Sequence, residues 1–153
     1  MTESERLAAI EAIRVLKSKY WLGVDTVDGE LVRSILHPDC VLDCMGCCTD
    51  PASGVDHMPQ MNIVMRGRDS WQTGNLEHPR LITVHQGHQH EIDVTSATTA
   101  TGVWAFTDRF FMPPGSPFSR LTGYGHYHDT YEKLGDEWLL KTMRFTRLWV
   151  ETS

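Results

Sequence analysis

Apolar side chains recur every three to four positions near the start of the chain, at Leu7, Ile10, Ile13, Leu16 and Tyr20, and Thr2-Glu3-Ser4-Glu5 ahead of them has the form of a capping box. This spacing predicts a long amphipathic helix with Gly23 near its end. Asp28-Gly29 separates it from a shorter helical segment, Glu30 to Leu36, which stops before His37-Pro38 because proline steers the residue ahead of it out of the α region. Asp39 to Met45 reads as a short strand. Thr49 to Gln60 carries Pro51, Gly54 and Pro59 without periodicity, which makes it a loop and a candidate lid. Gly67 to Leu76 is expected to form a third helix anchored by Trp71.

From Leu81 onward the apolar period shortens to two, giving four long β runs: Leu81 to Val94, Thr98 to Met112, Arg120 to Lys133 and Glu137 to Val150. Met112-Pro113-Pro114-Gly115-Ser116-Pro117 is a tight crossover between the second and third. Helices first and an antiparallel sheet afterwards is an α+β plan, and one domain over residues 1–153 accommodates it.

Opposed residues in an antiparallel pair have a constant index sum, so each turn sets a register. A first turn at Ser96-Ala97 gives a sum of about 193 and puts His85 opposite Asp108. The parity of Asp108 also carries Trp104, Phe106 and Phe110, so this carboxylate sits in an apolar stripe, where a charge is costly unless paired or used. A second turn at Gly135-Asp136 gives a sum of about 271 and sets Tyr124 against Arg147, His126 against Phe145 and His128 against Met143. The expected product is a concave apolar wall of Trp104, Phe106, Phe110, Tyr124, Met143 and Phe145. His85, Asp108, His126, His128 and Arg147 project from it, and Tyr127, Tyr131, His88 and His90 face outward.

The composition, 41% apolar and 22% charged, is that of a folded globular chain. Its formal net charge of -6 lacks the basic face that a phosphate-backbone binder needs, so nucleic acid is not an expected partner. No apolar run reaches membrane-spanning length, and the acidic N-terminus is unlike a signal peptide, so a cytoplasmic location is expected. Cys40, Cys44, Cys47 and Cys48 crowd together rather than forming a disulfide framework, and read as reduced thiols in a strand and loop. Zinc ligation is disfavoured by the adjacent Cys47-Cys48 and by the missing second C-x-x-C pair. Among the histidines, His85 is a candidate base, while His37, His57 and His78 sit beside loop or helix-end signals and are expected in solvent. Tyr20 and Asp25, five residues apart, are turned by about 140° on a regular helix. They share a site only if the helix loosens, for which Gly23 offers the opening.

Ala12-Ile13-Arg14-Val15-Leu16-Lys17-Ser18-Lys19-Tyr20, followed by Asp25, resembles the opening helix of the SnoaL-like branch of the nuclear transport factor 2-like superfamily. Thr83-Val84-His85-Gln86-Gly87-His88 and Thr98 to Trp104 running on to Asp108-Arg109 resemble the bile acid 7α-dehydratases of that branch, as do Tyr127 to Lys133 and Trp138. The likeness covers nearly the whole chain and extends to lindane dehydrochlorinases and, more distantly, scytalone dehydratase. It implies a cone-shaped α+β barrel with the active site inside the cone. Carried over by motif, the catalytic set falls on Tyr20, Asp25, His85, Asp108 and Arg147. The implied function is cofactor-independent elimination from an apolar, cyclic or polycyclic substrate, with no metal. In that scheme Asp25 orients His85 as the base, Tyr20 and Asp108 share an acid-base network, and Arg147 neutralises Asp108 or holds an anionic group. A ketosteroid-isomerase-like reaction and a non-catalytic binding or assembly module are the alternatives. The relatives' habit implies a homotrimer, with a dimer as alternative. The segment Cys44 to Gln60 departs from the family pattern, and His126 and His128 make this chain more basic there.

Overall fold

Thr2 caps the first helix as its sequence predicts. Its hydroxyl accepts from the Glu5 backbone N–H at 3.2 Å while the Glu5 carboxylate accepts from the Thr2 backbone N–H at 2.6 Å. In the computed structural model, which describes residues 1–71 and 81–153, this helix, α1, runs Glu3–Thr26. Gly23 neither ends nor loosens it: the turn falls at Val27, with φ of 62°. Gly23 instead permits contact with the next helix, since a Cβ there would stand 2.6 Å from Val32 Cγ2. Asp28 caps α2 (Gly29–Ile35) by accepting from the Leu31 N–H at 2.9 Å.

Six strands follow: β1 Leu36–Asp43, β2 Val64–Arg66, β3 Ile82–Val94, β4 Thr99–Phe111, β5 Arg120–Leu134 and β6 Glu137–Thr152. β1 begins earlier than its sequence suggests and absorbs His37-Pro38 where its pairing with β6 is irregular. Where a third helix is expected the described residues form a 3-10 turn, Arg68–Ser70, which ends at Trp71 in extended backbone; residues 72–76 of that segment and His78 lie outside the described residues. The strands form one curved, open sheet in the order β2-β1-β6-β5-β4-β3, antiparallel except for the β1–β6 pair. This is an α+β fold of the nuclear transport factor 2-like kind. Ile13, Leu16 and Tyr20 of α1 and Val32 of α2 pack with Trp104, Phe106, Tyr127 and Met143 of the sheet. A second apolar cluster joins Cys47, Cys48 and Met58 to Phe110, Leu121 and Val150.

The register determines which residues enter the interior. His85 does face Asp108, but a bulge on β3 sets both His88 and Gln89 against Ala105, so beyond Gly87 the pairing shifts and His90 faces Trp104. The two rings lie 4.9 Å apart, which places His90 on the inner face and not outside as expected. His88 stays on the outer parity, bonded through Nε2 to Thr107 Oγ1 at 2.9 Å.

On β6, Lys141 has no partner on β5, and from there to Arg147 the pairing runs one residue off the turn-set register; past Leu148, also unpaired, it runs two residues off, with Tyr124 facing Trp149. Gly125 therefore faces Arg147, Tyr127 faces Phe145 and Asp129 faces Met143. This corrects the expected pairs of Tyr124, His126 and His128, which all lie on the outer parity. It also moves Tyr127 and Tyr131, expected outside, to the interior, each 1% exposed. A slip of one residue exchanges the two faces of a strand, and the sequence pattern alone does not reveal where a bulge falls.

Candidate active site

Asp25 sits in the last turn of α1 and reaches across to β3. Its Oδ1 lies 2.6 Å from His85 Nδ1 and 2.9 Å from the donating Thr83 hydroxyl, and its Oδ2 accepts from the His85 backbone N–H at 2.8 Å. Burial alone would raise the Asp25 carboxyl; the hydrogen bonds from the His85 ring and backbone, with Thr83, outweigh it and hold the group below its ordinary value. An ionised carboxylate only accepts, so Nδ1 must carry the imidazole proton toward Asp25. Neutral His85 then bears its lone pair on Nε2, which has no hydrogen-bond partner among the described residues. The helix needs no loosening, because Asp25 and Tyr20 reach different parts of the sheet.

His85 is cross-strand neighbour to Asp108, and Asp108 is bound in turn by Arg147 from β6. The guanidinium clamps the carboxylate with both arms, Nη1 to Oδ1 at 2.9 Å and Nη2 to Oδ2 at 2.8 Å, and Nε donates to the Cys47 carbonyl at 2.5 Å. The Arg147 and Asp108 side chains are only 4% and 2% exposed. Burial alone would lower the Arg147 guanidinium, but the charge of Asp108 outweighs it and raises the group above its ordinary value. Three of the five N–H donors are thereby used, and one on each terminal nitrogen has no partner among the described residues.

Tyr20 is 4% exposed and lies edge-on to Trp71 and Tyr127, with ring centroids 6.1 and 6.2 Å away. Burial, reinforced by neighbouring thiol and carboxylate groups, pushes its hydroxyl well above the usual phenol range, so it stays protonated at neutral pH. It joins the other residues through Tyr127, whose ring is 4.2 Å from Phe106, the ring over which Arg147 lies at 4.9 Å. Phe110 is 6.1 Å from the His85 ring. Trp104, Phe106, Phe110, Met143 and Phe145 thus form the apolar interior that their parity predicts. Tyr124, His126 and His128 do not belong to it, and His128 instead bonds Thr146 Oγ1 through Nε2 at 2.8 Å on the outer side. His37, expected in solvent, is 4% exposed and accepts from the Asp39 N–H through Nδ1 at 3.0 Å.

A buried polar chain that the sequence pattern did not single out lies beside Tyr20. Lys17 Nζ is 2.7 Å from Asp129 Oδ2, both side chains are fully buried, and the same oxygen accepts from the Tyr131 hydroxyl at 2.7 Å. Tyr131 in turn accepts from Trp104 Nε1 at 2.9 Å. The ammonium lies 3.7 Å from the Tyr127 centroid and 4.9 Å from that of Tyr20. The signal was present: Lys17 falls on the apolar stripe of α1, four residues after Ile13 and three before Tyr20. Among the described residues no three His, Cys, Asp or Glu side chains are grouped to hold a metal ion. Three surface clefts of about 450–490 Å³ lie away from the dyad. Among the described residues no helix is long and apolar enough to cross a membrane.

Two helices on an open curved sheet, with a carboxylate-imidazole pair between α1 and β3, define the class. The SnoaL-like domain model matches residues 5–144, and the chain belongs to that family. It is 25% identical over 158 residues to a probable cyclase of Gibberella zeae, covering 97% of this chain and 96% of that one. Its fold is similar to that of a type 2 hexachlorocyclohexane dehydrochlorinase, LinA, with a TM-score of 0.77 at 19% identity, over 99% of this chain and 93% of the other. It is also similar to a scytalone dehydratase-like protein of Novosphingobium aromaticivorans, with a TM-score of 0.75 at 19% identity, over 99% and 92% of the two chains. The fold is thus shared with a dehydrochlorinase and a scytalone dehydratase-like protein, and the sequence is similar to that of a probable cyclase.

Proposed function

We propose that this protein is a cofactor-independent lyase that eliminates water or another small leaving group from an apolar cyclic substrate. The observation that carries the reading is the 2.6 Å contact between Asp25 Oδ1 and His85 Nδ1, in a setting that leaves Nε2 as the free base. Nε2 takes a proton from carbon, and Asp25, still ionised, stabilises the imidazolium that forms. Tyr20 supplies the proton that the leaving group or a developing enolate needs.

Asp108 has a different task from the shared acid-base role that the resemblance implies. Both its oxygens are occupied by a guanidinium, so it anchors Arg147 rather than exchanging protons. The two remaining Arg147 donors suit a carbonyl or anionic substituent. The aromatic lining supports a ring substrate. On the outer face, Tyr124 opposite Trp149, with Val84, Phe111 and Leu148, is 37% to 63% exposed, which supports association with further copies of the chain as a homotrimer.

The test is a panel of chlorinated cyclohexanes and hydroxylated ring ketones, followed for chloride release or loss of water by mass. Turnover that disappears in His85→Gln supports the reading. A double-bond shift with nothing released makes the protein an isomerase, and turnover that survives in His85→Gln, or none with any compound, removes the proposal.

A further inference from the structure

The three thiols after β1 play no part in this mechanism, yet one of them belongs to the residue that anchors Arg147. We infer that Cys47 and Cys48 are a reversible oxidation site, at which a hydroperoxide converts the two thiols into a vicinal disulfide and detaches Arg147 from its backbone anchor.

All four cysteines are free, and the Cys47 and Cys48 sulfurs lie 3.8 Å apart. Their backbone is fixed on several sides. The Cys47 N–H donates to the Cys44 carbonyl at 3.1 Å, the Gly46 N–H to Asn62 Oδ1 at 2.7 Å, and the Cys48 carbonyl accepts from His57 at 3.1 Å. The sulfurs themselves are packed with Met58, Phe110 and Leu121. The site is asymmetric: the Cys48 thiol facing Cys47 outweighs burial, and with the Arg147 charge holds the Cys47 thiol below its ordinary value. The Cys48 thiol is pushed far above its own, and burial first, then the charge of Cys47, pushes Cys44 up to about 12. Cys47, 5% exposed where Cys48 is fully buried, is the attacking sulfur, and Cys48 the resolving one.

The chemistry balances with the peroxide as the oxidant. The Cys47 thiolate attacks one peroxide oxygen; the S–O bond forms, the O–O bond breaks, and hydroxide leaves to take the proton of Cys48. The Cys48 sulfur then attacks the sulfenic sulfur, the S–S bond forms, and hydroxide departs from Cys47 and is protonated by solvent. Two thiols are oxidised by one peroxide, which leaves as two waters, or as water and an alcohol from an organic hydroperoxide.

The consequence follows from chain geometry. Adjacent Cα atoms are about 3.8 Å apart across a trans peptide, closer than the roughly 4.4–6.8 Å that ordinary disulfides span. Bringing the sulfurs to about 2.05 Å therefore twists the peptide between the two residues. The carbonyl of that peptide is the acceptor of Arg147 Nε. Oxidation thus moves the Arg147 anchor, while strain in the small ring keeps the bond easily reduced.

The test treats the whole folded protein with graded hydrogen peroxide, denatures it with an alkylating reagent and maps the cysteines by mass. The expected result is loss of two hydrogens confined to Cys47 and Cys48, reversed by dithiothreitol, with Cys40 and Cys44 still alkylated. The Arg147 Nε–H resonance, assigned with Arg147→Lys, moves on oxidation and returns on reduction. In Cys48→Ser the reaction stops at a Cys47 sulfenic acid that dimedone traps. Four alkylated cysteines after peroxide, a bridge to Cys40 or Cys44, or a Cys47–Cys48 bridge that leaves the Arg147 resonance unmoved would overturn the inference. None of these readouts needs turnover, so they stand apart from the lyase reading.

Discussion

Gly123 on β5 lies directly opposite Asp108 on β4, and a Cβ at that position would stand 2.4 Å from both Asp108 Oδ1 and Arg147 Nη1. The absent side chain is the space through which β6 delivers Arg147 to β4. Gly123→Ala is therefore expected to force the two charges apart and to destabilise the fold by about 3 kcal/mol, the scale of breaking a buried ion pair. The change in urea midpoint measures it. An alanine variant as stable as the parent would show that the pair tolerates displacement.

Lys17 and Asp129 make a second buried pair, and burying two charges is itself costly. Lys17→Met alone leaves a carboxylate uncompensated in the core and is expected to cost about 3–5 kcal/mol. Lys17→Met combined with Asp129→Leu removes both charges and is expected to recover most of that loss. Equilibrium unfolding of the single and double variants decides the matter, and a double variant as unstable as the single one would contradict the account.

Asp25 predicts a dependence on pH. Its carboxyl is held below the ordinary value of 3.8, so between the two values the unfolded chain binds more protons than the folded one. The stability it contributes is full above the unfolded value and is lost as pH falls through the folded value. The advantage of the parent over Asp25→Asn should hold at neutral pH and shrink on acidification below 3.8. Urea midpoints of both proteins across that range test this, and a constant difference would mean that the carboxylate gains nothing from His85 and Thr83.

The exposed pair Tyr124 and Trp149, with Leu148, should govern assembly. Leu148→Glu combined with Trp149→Glu is expected to reduce the light-scattering mass from three times the 17.4 kDa chain to one, without disturbing the interior. A parent that is already monomeric removes the proposal.

Much of this architecture was legible because local signals agreed with the fold. Thr2 caps where its sequence says it should, Asp28-Gly29 does divide the two helices, Gly135 turns the last hairpin, and the parity of Trp104, Phe106, Asp108 and Phe110 does face inward. The His85–Asp108 pairing was right partly through cancellation, since the turn-proximal half of that hairpin runs one residue off and the β3 bulge restores the register. At Lys141 nothing restored it. The inner residues of β5 are consequently Tyr127, Asp129 and Tyr131, while Tyr124, His126 and His128 face out. Gly23 misled for another reason: a glycine at a helix end and a glycine that lets two helices touch look alike in a sequence. Lys17 escaped notice because a lysine on an apolar stripe becomes informative only once its partner, Asp129, is known to share that interior.

The central claim is that Asp25 fixes the proton of neutral His85 on Nδ1 and leaves Nε2 as the base. Long-range nitrogen-proton NMR of the imidazole, assigned with His85→Gln and recorded where the ring is neutral, reads the tautomer directly. The account predicts a protonated Nδ1 and a bare Nε2 in the parent, with that preference lost in Asp25→Leu. A parent protonated on Nε2, or a tautomer that does not respond to removal of Asp25, would contradict it.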